Sequence, residues 1–65
     1  MKRKDFVAHL NKYGCVFVRE GANHSIFFNP DTKRISTIPR HNELDNFLAK
    51  KICRDLGIES PRRKK

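Results

Sequence analysis

The chain has no apolar run near the ~20 residues that a membrane-spanning helix needs, which excludes a helical membrane protein. It has no internal repeat and no linker, so it reads as one domain. At 65 residues it is a small one. A chain of this length buries only roughly 60% of its unfolded surface, so it has no room for a deep cofactor pocket. No cofactor is expected, and any chemistry belongs on the surface. Cysteine is scarce: Cys15 and Cys53 sit inside apolar patterns with no secretory segment ahead of them. Both are expected to be reduced core thiols in a cytoplasmic protein. Three dispersed histidines and these two thiols show no metal-ligand spacing, so no metal site is expected. Neither thiol has a histidine or activating charge beside it, which argues against a cysteine nucleophile.

Positive charge is abundant. The net charge of +8 comes from 15 Lys and Arg against 7 Asp and Glu. Lys2, Arg3 and Lys4 open the chain, and Arg62, Arg63, Lys64 and Lys65 close it. The remaining eight basic residues face seven acidic ones, so nearly all the excess lies at the two ends. Such ends favour a polyanion, most commonly nucleic acid. A lone basic tail would as readily serve solubility; clusters at both ends of so small a domain favour RNA or DNA without selecting between them. The folded domain is expected over residues 1–59, with 60–65 as a basic, disordered tail.

From Asp5 to Tyr13, Phe6, Val7, Leu10 and Tyr13 form the one-sided stripe of an amphipathic helix starting near Arg3 or Lys4. Gly14 follows as its left-handed stop. Three strands are expected: Cys15–Glu20, Ser25–Asn29, and Arg34–Ile38, which Pro39 ends. Gly21-Ala22-Asn23 and Asn29-Pro30-Asp31-Thr32 are the connections, short enough for an antiparallel meander. A last helix is expected from an Asn42 cap with Asp45 at its third position. It carries an apolar stripe of Leu44, Phe47, Leu48, Ile52 and Leu56. Gly57 ends it and Ile58 folds back onto it. Five Phe in so small a chain are expected to serve mostly the core, although Phe17, Phe27 and Phe28 could also stack bases. The predicted fold is α+β, of order α-β-β-β-α, with a three-stranded antiparallel sheet and both helices on one face.

That order is shared with double-stranded RNA-binding domains. Those domains grip phosphates with lysines at the start of the last helix. Here the expected start, Asn42-Glu43-Leu44-Asp45, is acidic, so a plain double-stranded RNA binder fits poorly. A sharper resemblance covers about residues 5–58. "GANHSIFFNPDTKRISTIPRHNELDNFLAKKICRDLGI" resembles the HicA family of bacterial mRNA interferase toxins. Three segments carry the likeness: a Gly-x-x-His motif leading into the second strand, Pro39-Arg40-His41 after the third, and Leu56-Gly57-Ile58 at the end of the last helix. The preceding "FVAHLNKYGCVFVREG" fits the family's helix, glycine, strand and turn. Ala22-Asn23 departs from members of the Gly-Ser-His type.

The resemblance implies a type II toxin that cleaves mRNA and is neutralised by a HicB-like antitoxin covering the active histidine, which matches His24. RNA cleavage by the 2′-hydroxyl needs one group to take its proton and another to protonate the leaving 5′-oxygen. Imidazole, with a reference pKa near ~6.5, can do either. Without the resemblance, a histidine at a strand start is more often a solvated residue; with it, His24 reads as the acid–base group of a metal-independent endoribonuclease. Arg19, Lys33, Arg34 and Lys50 are candidate phosphate contacts, and Gly21 would let the backbone turn sharply and approach the phosphate. His41 is expected to lead into the last helix rather than to act as a second acid–base group, and His9 to face solvent. The alternative is an RNA-binding domain of the same fold without chemistry, and a weaker third is a ribosome-associated structural protein.

Overall fold

The computed structural model describes residues 1–61. Arg62, Arg63, Lys64 and Lys65, and so most of the expected tail, lie outside the described residues. The elements are α1 (Arg3–Lys12), β1 (Val16–Glu20), β2 (His24–Asn29), β3 (Arg34–Pro39) and α2 (Asn46–Leu56). The strands form one antiparallel sheet in the order β1-β2-β3, with a bulge in β1 between Phe17 and Arg19. The α+β order, the antiparallel meander and the two helices are as the sequence patterns predict.

The alternation of β2 determines which face is covered. Ser25, Phe27 and Asn29 are buried, while Ile26 and Phe28 between them are half-buried. Phe6 and Leu10 of α1 join Ala49, Ile52, Cys53 and Leu56 of α2 in one core with Phe27 and Ile38. Both helices therefore cover the Phe27 face of the sheet. The strand β1 is exposed along its whole length. Its Phe17 meets Phe27 edge-on, with ring centroids 5.8 Å apart.

Both helices stop by backbone geometry rather than by side-chain caps. Gly14 has φ of 86° and the Cys15 N–H donates to Leu10 O at 3.0 Å; Gly57 has φ of 75° and the Ile58 N–H donates to Cys53 O at 2.9 Å. Both are six-to-one closures that use the left-handed residue only glycine adopts without penalty. Ile58 packs against the core, as expected.

The start of α2 is a correction. The helix begins at Asn46 with Asp45 as its cap residue, and Asn42 caps nothing. The reason is tertiary: Lys2 and Glu43 form an isolated antiparallel bridge, the Arg3 N–H donates to Asn42 O at 2.8 Å, and the Leu44 N–H donates to Met1 O at 2.7 Å. The N-terminal residues thus hold 42–44 extended. The helix opens on an uncharged first turn, Asn46-Phe47-Leu48-Ala49, so it is neither acidic nor a lysine grip.

A second correction concerns Phe47. Phe47 is 81% exposed. Ala49, Ile52, Cys53 and Leu56 form the buried stripe, and Phe47 lies about 200° round the helix from Ala49. Only Phe6 and Phe27 of the five Phe are buried, so the phenylalanines do not mostly serve the core.

Candidate active site

His24 is the first residue of β2, and Pro39, the last of β3, is its partner across the ladder. Side chains alternate along a strand. Ser25 points into the core and His24 therefore points out, where it is exposed. The turn before it is tight: the Gly21 N–H donates to His24 O at 2.6 Å.

A polar chain holds the two neighbours of His24. Arg3 Nη2 donates to Ser25 Oγ at 2.7 Å, and Arg3 Nε donates to Pro39 O at 3.0 Å. Ser25 Oγ in turn donates to Glu20 Oε2 at 3.1 Å, and Glu20 Oε1 meets Arg40 Nη1 at 3.4 Å. The residue after His24 and the residue opposite it are thus tied to one guanidinium. Arg3, assigned by sequence only to a basic end, is half-buried and structural. Nothing local in the sequence marks this role, because its partners lie 22 and 36 residues away.

Past Pro39 the chain leaves the sheet edge and turns toward α2. A cleft of about 380 Å³ opens there between the end of β3 and α2. Its lining includes Asn23, His24, Thr37, His41, Lys51 and Asp55. Lys51 Nζ lies 3.6 Å from Asp55 Oδ2, an exposed pair one helical turn apart. Among the described residues neither the His24 nor the His41 imidazole has a hydrogen-bond partner. His41 does not lead directly into the helix as expected. It stands four residues before the Asp45 cap and shares a cleft with His24.

The other histidine is engaged elsewhere. The His9 Nε2 lies 2.8 Å from Glu59 O, and its ring packs edge-on to Tyr13 at 4.8 Å. It is half-buried rather than fully solvent-facing.

None of the four candidate phosphate contacts lines the cleft, although Arg19 pairs with Ile26 on the His24 face of the sheet. Arg19 lies on β1, Lys33 in the β2–β3 turn with φ of 62°, and Lys50 on the exposed side of α2. Arg34 opens β3 and donates to Arg54 O at 3.3 Å. The cation that lines the cleft is Lys51, missed by the sequence reading because the helical phase decides between adjacent lysines. Among the described residues no group of three His, Cys, Asp or Glu is placed to hold a metal ion. Nor is any described helix long and apolar enough to cross a membrane.

The thiols are buried and free. Burial pushes the Cys53 thiol up to about 11, with the neighbouring Cys15 adding to the effect. Burial also raises Cys15, helped by the charge of Asp31. Neither is a nucleophile under these conditions.

Compared with known proteins, residues 3–58 match the model of a family described as HicA toxin of bacterial toxin-antitoxin. No curated protein and no solved structure matches the chain.

Proposed function

The chain belongs to the HicA family of bacterial toxin–antitoxin toxins, and on that premise we propose that it is a metal-independent endoribonuclease that cleaves mRNA with His24 as acid–base residue. Membership makes it the toxin of a pair with a cognate antitoxin. We assign that partner as a HicB-like protein that covers His24, and place the activity in the cytoplasm.

One observation carries the reading. His24 stands exposed, without a hydrogen-bond partner among the described residues, in the lining of a cleft and on a backbone tied down by Gly21, Ser25 and Pro39. An imidazole whose ring nitrogens are both available can exchange a proton with a bound ribose or phosphate. The frame around it fixes the backbone from which the ring projects. Lys51 supplies a cation in the same cleft for the phosphate charge. Arg19, Lys33, Arg34 and Lys50, outside the cleft lining, then act as contacts along the RNA backbone. They bind phosphates and move no proton.

The test is His24→Ala. The residue is exposed, so the variant keeps the fold by circular dichroism. Its RNA cleavage falls by about 10²–10⁴, the range of one general acid or base. Wild-type protein cleaves in excess EDTA. Cleavage unaffected by the substitution would refute the assignment. RNA that is bound but left intact by wild-type protein would favour a binding domain without chemistry.

A further inference from the structure

In-line displacement at phosphorus places the attacking and leaving oxygens on opposite sides. A single imidazole that takes the proton of the 2′-hydroxyl is on the wrong side to protonate the 5′-oxygen in the same step. The cleft therefore needs a second proton-transfer group, and the fold supplies one. We propose that His41 is that group, the general acid that protonates the leaving 5′-oxygen while His24 acts as base. This inference rests on the ribonuclease reading given above.

The placement comes from topology. His24 and Pro39 are ladder partners, and His41 lies two residues beyond Pro39. The turn of the chain at the β3 edge carries His41 into the lining of the cleft that holds His24. Both flanks of His41 are anchored. Arg40 is paired with Glu20 at 3.4 Å, and Asn42 O accepts the Arg3 N–H at 2.8 Å. The Glu20–Ser25–Arg3 chain that holds the neighbours of His24 therefore also holds those of His41. One polar network thus ties down the chain next to both histidines, the kind of positioning that a two-proton step requires.

The other groups lining the cleft do not replace it. Lys51 and Asp55 are paired with each other. Ser36 and Thr37 carry hydroxyls, and Asn23 carries an amide. Imidazole is the side chain that hands over a proton readily near neutrality. The charged groups that line the cleft with the two histidines are Lys51 and Asp55 from α2, and the Arg40–Glu20 pair lies next to His41 along the chain.

The step balances. The 2′-oxygen forms a bond to phosphorus as His24 takes its proton. The bond from phosphorus to the 5′-oxygen breaks as His41 gives up a proton. The products are a 2′,3′-cyclic phosphate and a 5′-hydroxyl end, and exchange with water resets both rings.

The experiment uses the full chain, His41→Gln and His24→Gln, with two RNA oligonucleotides. One is ordinary; the other carries sulfur in place of the scissile 5′-oxygen. A thiolate leaves without a proton, so the sulfur substrate bypasses the acid. His41→Gln is expected to slow cleavage of the ordinary RNA by about 10²-fold or more and of the sulfur RNA by less than about tenfold. His24→Gln should stay slow on both substrates. Equal losses of His41→Gln on both substrates, or a wild-type rate on ordinary RNA, would overturn the assignment. So would sulfur rescue of His24→Gln, which exchanges the roles. Wild-type protein that leaves both RNAs intact fails the ribonuclease reading itself, and this inference with it.

Discussion

The backbone N–H of Gly21 donates to His24 O at 2.6 Å, and a Cβ on Gly21 would sit 3.2 Å from that same oxygen. Gly21 is not among the residues with positive φ. Its requirement for glycine comes from this close approach and not from a left-handed backbone. The turn before the candidate catalytic histidine is thus set by the histidine's own carbonyl.

Gly21→Ala should therefore act on the site more than on the fold. The added methyl moves the His24 carbonyl by a few tenths of an ångström, and the ring moves with it. Cleavage is expected to fall by roughly tenfold, since small misplacements of a catalytic group are costly, while the urea midpoint shifts little. A variant with full activity would show that the turn tolerates the methyl without moving His24.

Arg3→Lys probes the frame. The guanidinium makes two bonds in different directions, to Pro39 O and Ser25 Oγ. A lysine ammonium lacks that fork. Loss of one charged hydrogen bond in this half-buried place should lower stability by about 1–3 kcal/mol in urea unfolding. Cleavage should fall as well, because both residues flank His24. If activity falls with no loss of stability, Arg3 contacts RNA and is not only part of the frame.

Gly57→Ala separates two penalties. The residue has φ of 75°, and an added Cβ would lie 2.9 Å from Thr32 Cγ2. The left-handed backbone alone should take away about 1–2 kcal/mol, and the clash adds to it. Thr32→Ser removes the methyl but keeps the hydroxyl that donates to Leu56 O at 2.9 Å. The double variant should recover the clash and not the backbone part, a coupling measurable by a double-mutant cycle in urea.

Cys53 makes stability depend on pH at the alkaline end. Burial first, and Cys15 second, raise the thiol from 9.0 to about 11 in the folded chain. The unfolded chain therefore releases this proton at lower pH than the folded one. The stabilisation is complete below pH 9.0 and is lost as pH rises through about 11. Cys53→Ala should flatten that limb of the stability–pH curve. In native buffer at pH 8, a maleimide should label neither buried thiol until urea is added.

The order of elements was legible because it rests on local signals. The stripe of Phe6 and Leu10, the alternation of Ser25, Phe27 and Asn29, and the glycines at 14 and 57 each state their structure within a few residues. Gly-x-x-His before a strand, with Pro-Arg-His and Leu-Gly-Ile downstream, carried the family likeness and pointed to His24 as the candidate. What the sequence could not decide depends on residues far apart. Asn42 has the chemistry of a helix cap, but pairing of residues 1–3 with 42–44 holds it extended and moves the helix start to Asn46. The buried stripe of Ala49, Ile52, Cys53 and Leu56 leaves Phe47 outward and places Lys51 rather than Lys50 in the cleft lining, where His41 joins His24. Local propensities are properties of a few neighbouring residues. Where the last helix begins, and which groups share a cleft with His24, depends on contacts between segments far apart in the chain, and only the tertiary structure contains those contacts.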